Sequence, residues 1–241
     1  MSSPLLEVRD VTKRYGSLEV VRAVSFAVAD GEALGILGPN GAGKTTLFNL
    51  ITGDVLADDG TVVLEGQDVS RMRPHVRCRM GIGRSYQIAQ PFAGLTVFEN
   101  VLVAGMFGAG LSRADAGALA LDVLERTALL QHANRLGGTL TLLQRKRLEL
   151  ARALATRPRI LLLDEIAGGL TDREAATLVG LLGSIRASGV TIVWIEHVVH
   201  ALIAVATRLL VLDSGAVLAQ GEPRAVIASA DVQRVYMGIE A

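Results

Sequence analysis

A glycine-rich loop between an apolar run and a helix-forming segment constrains this chain more than any other feature of its sequence. Residues 38–45 read Gly-Pro-Asn-Gly-Ala-Gly-Lys-Thr, which fulfils the pattern G-x-x-x-x-G-K-S/T in full. Glycines let backbone N–H groups turn inward around phosphate oxygens, and the N-terminus of the following helix adds partial positive charge. By chance the pattern arises in about one chain in a hundred of this length. Because the apolar run Ala33–Leu37 precedes it, the loop predicts a nucleotide-phosphate site in which Lys44 reaches the phosphates and Thr45 binds Mg²⁺.

A second polar site is predicted at the end of an apolar strand far along the chain. The run Ile160–Leu163 is followed directly by Asp164 and Glu165. An acid at the carboxyl end of a parallel strand points into the ligand crevice of such sheets. We expect Asp164 to hold Mg²⁺ through water and Glu165 to act as the general base. Two solvated acids with no function are common at strand ends. The phosphate loop in the same chain makes this alternative much less favoured than a functional role.

The order of the predicted elements indicates an α/β fold with an inserted helical block. Partial alternation predicts strands over 5–11 and 20–28, and a helix runs from Lys44 to about Thr52. A strand is predicted at about 61–64, and helical spacing then covers 96–107, 112–130 and 144–156. Strands and helices alternate from residue 160 onward, and such alternation is typical of a parallel sheet covered by helices.

Composition narrows the classes of protein that fit. The 241 residues carry 24 basic and 24 acidic side chains, half of the residues are apolar, and Cys78 is the single cysteine. Disorder is excluded because it needs low hydrophobicity and high net charge. Every long apolar stretch is broken before the 18 residues of a spanning helix, and the N-terminus lacks a signal-peptide core. Zero net charge disfavours a nucleic-acid binder, and one cysteine suits a reducing interior.

The two motifs, with a helical block between them, resemble those of the ATP-binding cassette (ABC) ATPases, and the resemblance covers nearly the whole chain. It implies a P-loop NTPase fold with a RecA-like parallel-sheet core, an N-terminal antiparallel β subdomain and an inserted α-helical subdomain. The expected single domain divides into a core (1–90 and 158–241) and a helical subdomain (91–157). ATP would contact every residue of the loop, namely Gly38, Pro39, Asn40, Gly41, Ala42, Gly43, Lys44, Thr45 and Thr46.

Three further positions match the family pattern. Tyr15 falls where the family places an aromatic side chain that stacks on adenine. Gln87 falls where a glutamine reaches Mg²⁺ and the attacking water and senses the membrane subunit. His197, just past a buried strand, matches the switch histidine that contacts the γ-phosphate. Each would mean little alone, because an aromatic at a strand end or a single histidine is more often structural.

Within the family, the chain looks most similar to the ATP-binding subunits of branched-chain amino-acid uptake transporters. Segments 91–101, 145–154, 195–199 and 235–238 carry this resemblance. It implies transmembrane permease subunits and a second ATP-binding subunit as partners, with a location at the cytoplasmic face of the plasma membrane. Amides, urea or other amino acids remain possible substrates. The alternatives are a soluble cassette acting on DNA or ribosomes, which usually has large insertions, and a nucleotide-binding subunit with weak hydrolysis.

The signature loop of the family, Leu-Ser-Gly-Gly-Gln, departs from its pattern here. Residues 140–144 read Leu-Thr-Leu-Leu-Gln, so Leu142 and Leu143 replace both glycines. In the family this loop closes on the ATP of the opposing subunit, a role that Thr141 and Gln144 would keep. Ile166 and Thr171 are further departures, at positions where Pro and Asn or Asp are usual. Either the subunit supplies one weakened signature to a heterodimer, or the leucines point away from the nucleotide and are tolerated.

Two other segments can be interpreted either as functional surfaces or as ordinary structural elements. Residues 71–84 are strongly basic, and we expect a solvated helix face there rather than a lipid or nucleic-acid patch. Cys78 has no neighbouring cysteine or histidine cluster, so a metal site is not expected. Residues 91–110 are either the core of the helical subdomain or a docking surface for a membrane-subunit helix, with equal weight.

Overall fold

The computed structural model describes residues 3–237 and contains two β-sheets surrounded by helices. The strands are β1 (Leu6–Tyr15), β2 (Leu18–Val28), β3 (Ala33–Leu37), β4 (Asp59–Leu64), β5 (Gln67–Asp68), β6 (Ile82–Ser85), β7 (Ile160–Asp164), β8 (Thr191–Ile195), β9 (Arg208–Asp213) and β10 (Ala216–Gly221). The helices are α1 (Lys44–Thr52), α2 (Pro74–Arg79), α3 (Val97–Phe107), α4 (Arg113–Arg126), α5 (Leu142–Ala155), α6 (Asp172–Ala187), α7 (Val199–Val205), α8 (Pro223–Ala228) and α9 (Ala230–Met237).

The larger sheet has the strand order β10-β9-β3-β8-β7-β6. Every neighbouring pair from β9 to β6 is parallel, and only β10 pairs antiparallel with β9. The smaller sheet is antiparallel throughout, in the order β2-β1-β4-β5. The predicted combination of a parallel core with an antiparallel β unit is therefore confirmed. It brings the carboxyl ends of β3, β6, β7 and β8 to one edge.

Apolar residues cover both faces of the parallel sheet. On β8, Ile192 and Trp194 pack into the core on the helical side, whereas Val193 and Ile195 pack toward the antiparallel sheet and α1. Continuous apolar runs are typical of parallel strands because helices or sheets cover each face. Much of the high apolar content of the chain is thus buried. Among the helices of residues 3–237, none has both the length and the hydropathy of a bilayer-spanning segment.

Capping boxes begin three of the long helices. The side chains of Thr96, Thr141 and Thr171 each accept a hydrogen bond from the backbone N–H three residues on, and the Glu or Gln side chain at that position accepts one from the backbone N–H of the threonine. Each box satisfies two N–H groups that the first turn would leave unpaired. Helix α5 therefore begins at Leu142, two residues before the predicted start, and the two signature leucines lie in its first turn.

Helices α3, α4 and α5 lie between β6 and β7 in the chain, as predicted for an inserted block. Val97 and Val101 are fully buried, whereas Phe92 and Phe107 are about half and two-thirds exposed. Core packing is thus confirmed for one face of the segment 91–110, and docking of a membrane subunit stays a prediction for the other. The domain limits proposed from the sequence also remain a prediction.

The expectation of a solvated basic face over residues 71–84 is wrong for Arg77, which is 1% exposed. Its guanidinium donates to the carbonyl oxygens of Leu50 and Ile51 in the last turn of α1, at 2.7 and 2.8 Å. Two more bonds reach the carbonyl oxygens of Ser70 and Met72. The last carbonyl groups of a helix lack partners within the helix. Arg77 therefore caps the C-terminus of the helix that follows the phosphate loop.

Candidate nucleotide site at the carboxyl edge of the parallel sheet

The phosphate loop connects β3 to α1 and depends on glycine at two positions. Gly41 and Gly43 have φ angles of 82° and 92°, in the left-handed region that glycine adopts without strain. A Cβ atom at Gly43 would also collide with the carbonyl oxygen of Val20. Gly43 is the N-cap of α1 and offers no side-chain cap, so the first N–H groups of the helix face the loop. These groups form an anion site of the kind that binds phosphate.

Lys44 is buried at the base of the loop and is 6% exposed. Its Nζ donates to the carbonyl oxygens of Gly38 and Pro39 at 2.7 and 3.0 Å. Burial lowers the pKa of the ammonium group, while Glu165 and Asp164 act in the opposite direction. The positive charge is thus held inside the loop, close to the two acids predicted from the sequence.

Asp164 ends β7 and is 1% exposed. Its Oδ2 accepts a hydrogen bond from Nη2 of Arg84 at 3.2 Å. Its Oδ1 is buried and has no hydrogen-bond partner within residues 3–237. Burial raises the pKa of this carboxyl, and Arg84 opposes the rise. Asp164 and Thr45 line the same cavity of about 480 Å³, and their shared role as magnesium ligands stays a prediction.

Glu165 lies where the phosphate loop meets the two neighbouring strand ends. Its carboxylate accepts a hydrogen bond from Nε2 of Gln87 at 2.5 Å and lies 2.5 Å from Nε2 of His197. Glu165 and Gln87 line a cavity of about 300 Å³ together with loop residues Asn40 to Thr46. Three residues separated by up to 110 positions in the chain therefore meet beside the predicted phosphate site.

Glu165 adopts a φ of 47°, which is unusual for a residue with a side chain. Two contacts that sequence reasoning missed support this turn. Lys146 of α5 lies 3.4 Å from the Glu165 carbonyl oxygen, and burial lowers its pKa. Buried Glu196 accepts from the backbone N–H groups of Ala167 and His197 at 3.0 and 2.9 Å. Glu196 thus joins the turn after Glu165 to the backbone of His197; its place directly before His197 was the sequence signal for it.

Tyr15 is less integrated than the other predicted residues. It ends β1, is half exposed, and lies 5.6 Å by ring centroid from Nζ of Lys13. It does not line the cavity around the phosphate loop. Its stacking role stays a prediction.

Thr141 and Gln144 bond to each other at the start of α5. Thr141 Oγ1 accepts from the Gln144 backbone N–H at 3.4 Å, and Gln144 Oε1 accepts from that of Thr141 at 3.1 Å. Leu142 is 42% exposed and lines a separate cavity with Ile88 and Ala89. Residues 140–144 do not line the cavity around the phosphate loop of their own chain. An action on the opposing subunit therefore stays a prediction.

Comparison with known proteins agrees with this arrangement. The family model described as "ABC transporter" matches residues 21–168. The chain is similar to the high-affinity branched-chain amino acid transport ATP-binding proteins BraF of Pseudomonas aeruginosa and LivG of Escherichia coli, at 38% identity with 99% of each chain covered. It is also similar to the lipopolysaccharide export system ATP-binding protein LptB of Haemophilus influenzae, at 34% identity with 97% of each chain covered.

Solved structures give the same result. A nucleotide-free ATP-binding cassette from an ABC transporter matches with a TM-score of 0.88 at 28% identity, covering 99% of this chain and 100% of the other. The ADP conformation of MJ1267, an ATP-binding cassette of an ABC transporter, matches with a TM-score of 0.89 at 30% identity and the same coverage.

Proposed function

The chain belongs to the ABC transporter family of ATP-binding cassettes, which are ATPases, and from this premise we propose that it powers the import of branched-chain or related amino acids through a membrane permease. Full-length identity of 38% to two branched-chain amino acid transport proteins supports the substrate class. The contacts of Glu165 with Gln87 and His197 beside the phosphate loop carry the proposal that the chain itself hydrolyses ATP.

Nucleotide binding is assigned to the loop Gly38–Thr46, with Tyr15 stacking on the adenine. The N-terminus of α1, which has no side-chain cap, and the positive φ angles of Gly41 and Gly43 support phosphate binding by backbone N–H groups. On nucleotide binding, Lys44 would exchange its two carbonyl acceptors for phosphate oxygens. Such an exchange is favourable because hydrogen bonds between charged groups are stronger than those to neutral oxygens.

The residues present fit Mg²⁺, a hard cation that takes oxygen ligands. Asp164 provides a buried Oδ1 with no hydrogen-bond partner in the described chain, and Thr45 provides an exposed hydroxyl in the same cavity. Gln87, which lines this cavity too, would supply an amide oxygen. Bound there, the ion would neutralise charge on the β- and γ-phosphates.

Glu165 is the proposed general base, and His197 the group that contacts the γ-phosphate. In the structure Gln87 and His197 both bond to the Glu165 carboxylate. Each carboxylate oxygen accepts one of these bonds and can accept a second, so the attacking water can bond to Glu165 while the Gln87 contact holds the carboxylate in place. Movement of Gln87, which is exposed next to the groove of Tyr86 and Ile88, would make hydrolysis depend on a partner.

Two partners follow from this function. A permease segment would dock in the groove lined by Tyr86, Ile88, Gln90 and Arg152, which holds the chain at the inner face of the plasma membrane. A second cassette would close on the phosphate loop. Because Leu142 and Leu143 occupy the first turn of α5 in place of glycines, we favour a heterodimer in which this chain supplies the weaker signature loop. A homodimer that tolerates the leucines is the alternative.

A second candidate cargo is a lipopolysaccharide. The 34% identity to a lipopolysaccharide export ATP-binding protein over nearly the full chain favours it. The same cassette chemistry would then drive export instead of import.

One experiment separates these cargoes. The tagged chain is purified from membranes of the cells that naturally produce it, and the co-purifying permease subunits are identified. The complex is then reconstituted into proteoliposomes. We expect ATP-dependent uptake of radiolabelled leucine, isoleucine or valine. A complex that contains permease and hydrolyses ATP but transports none of these amino acids would contradict the assigned substrate class.

A further inference from the structure

The guanidinium of Arg84 lies between the helix that follows the phosphate loop and the strand that ends in Asp164. Its Nη1 donates to Asn49 Oδ1 at 2.6 Å and to Asp54 Oδ2 at 3.0 Å. Its Nη2 donates to Asp164 Oδ2 at 3.2 Å. The side chains of Arg84 and Asp164 are only 6% and 2% exposed. This ion pair is therefore almost fully withdrawn from water, unlike a surface pair of little energetic value.

The proposed magnesium ligands lie on three separate elements. Thr45 is in the first turn of α1, Asp164 ends β7, and Gln87 follows β6. Arg84 is within β6 itself, three residues before Gln87. Its acceptor Asn49 lies one turn after Thr45 on α1, on the same helical face. The side chain of Arg84 thus bonds both to α1 and to β7. Arg84 itself lies in β6, the strand that leads to Gln87.

From this geometry we propose that Arg84 is a positioning residue for the magnesium site. Its bonds set the separation of Thr45, Asp164 and Gln87. The inference rests on the nucleotide site of the proposed function. Burying a carboxylate is unfavourable unless it is paired and hydrogen-bonded, and Arg84 supplies both to Oδ2. The other oxygen, Oδ1, is left without a hydrogen-bond partner in the described chain, as a metal ligand requires.

Two aromatic rings hold the guanidinium in place. Its central carbon lies 4.6 Å from the ring centroid of Tyr86 and 5.8 Å from that of Phe48. Phe48 is buried on α1, and Tyr86 lies half-exposed between Arg84 and Gln87. A lysine at position 84 would keep the charge, but it lacks the planar fork that serves several acceptors at once. Charge and positioning can therefore be separated by substitution.

The test measures nucleotide binding rather than hydrolysis. Binding of fluorescent ADP is titrated with Mg²⁺ and with EDTA for the wild-type chain, Arg84→Lys and Asn49→Ala. Arg208→Lys is the matched control, because Arg208 forms a partly buried ion pair with Glu32 far from the site. Groups that orient metal ligands typically change affinity about 10- to 100-fold. We expect Arg84→Lys to lose Mg²⁺-dependent affinity in this range while its affinity in EDTA stays unchanged.

Asn49→Ala removes the shorter of the two bonds from Arg84 to α1, because Thr52 Oγ1 remains an acceptor at 3.3 Å, and it should show a smaller loss in the same direction. If Arg84→Lys does not fold, as judged by the lack of a cooperative unfolding transition, the Mg²⁺ dependence of Asn49→Ala tests the proposal instead. An unchanged Mg²⁺ dependence in the folded variants would overturn the proposal. So would an equal loss of affinity with Mg²⁺ and in EDTA, which indicates a structural role only. A wild-type chain that binds no nucleotide in either condition would instead refute the proposed function on which the inference rests.

Discussion

Replacing Arg77 by methionine tests how the phosphate-loop helix is held in the fold. Methionine keeps an unbranched apolar chain of similar reach but removes all five donors. In the structure, four carbonyl oxygens lose a partner, of which those of Leu50 and Ile51 are bonded by the buried Nη1. A homologous protein without this arginine would need other hydrogen-bond donors for the carbonyl oxygens at the C-terminus of α1.

The magnitude follows from those bonds. Each buried acceptor left unsatisfied costs about 1–3 kcal/mol. Burial lowers the pKa of the Arg77 guanidinium, so the native side chain is itself held at a desolvation cost, which offsets part of the loss. We therefore expect Arg77→Met to lower the free energy of unfolding by about 3–5 kcal/mol. For a domain of this size that corresponds to a fall in Tm of roughly 6–20 °C.

Thermal and urea unfolding of the purified chain measure this change. The matched control is Arg79→Met, two residues along the same helix, where the side chain is exposed. Exposed substitutions of this kind change stability by about 0.5 kcal/mol or less. Equal Tm values for the two variants would refute the reasoning, because they would show that the four carbonyl bonds contribute nothing beyond what water supplies.

Two further predictions concern the nucleotide site. Lys44→Met should weaken ATP binding about 10- to 100-fold, because one bond between charged groups contributes about 1.5–3 kcal/mol. Without nucleotide it should lower the Tm less than Arg77→Met does, since only two carbonyl oxygens lose a partner and a buried charge whose pKa burial depresses is removed. Fluorescent-nucleotide titration measures the binding, with the exposed Arg79→Met as control, and unaltered affinity would argue against the phosphate role. Leu142→Gly with Leu143→Gly should raise ATP turnover of the chain alone while costing about 1 kcal/mol of helix stability per glycine. Brisk turnover by the wild-type homodimer, with no gain in the double variant, would show that the leucines are tolerated.

Local sequence patterns predicted the parts of the fold in which neighbours along the chain decide the outcome. The apolar runs of β7 and β8 and the glycine loop before α1 are such cases. The start of α5 was misplaced because the motif comparison assigned Leu142 and Leu143 to a loop, whereas the Thr141 capping box extends the helix over them.

Contacts between distant segments were not predictable in this way. Arg77 lies in a run with a basic residue at every second position from 71 to 79, which predicts a solvated face, and its acceptors in α1 are 26 and 27 residues away. The partners of Arg84 and Glu196 are likewise brought together only by the sheet order. The sequence therefore predicted the residues that are proposed to perform the chemistry, but not the buried charges that hold them.

The claim that Glu165 performs the hydrolytic step is tested most directly by phosphate release from the purified transporter complex carrying Glu165→Gln. Glu174→Gln is the control, since Glu174 is a partly exposed carboxylate in the capping box of α6, a box that glutamine can also complete. Loss of a general base reduces the rate about 100- to 10,000-fold. We predict a fall of that size with ATP affinity retained, whereas a rate within a few-fold of the wild-type complex would contradict the assigned role of Glu165.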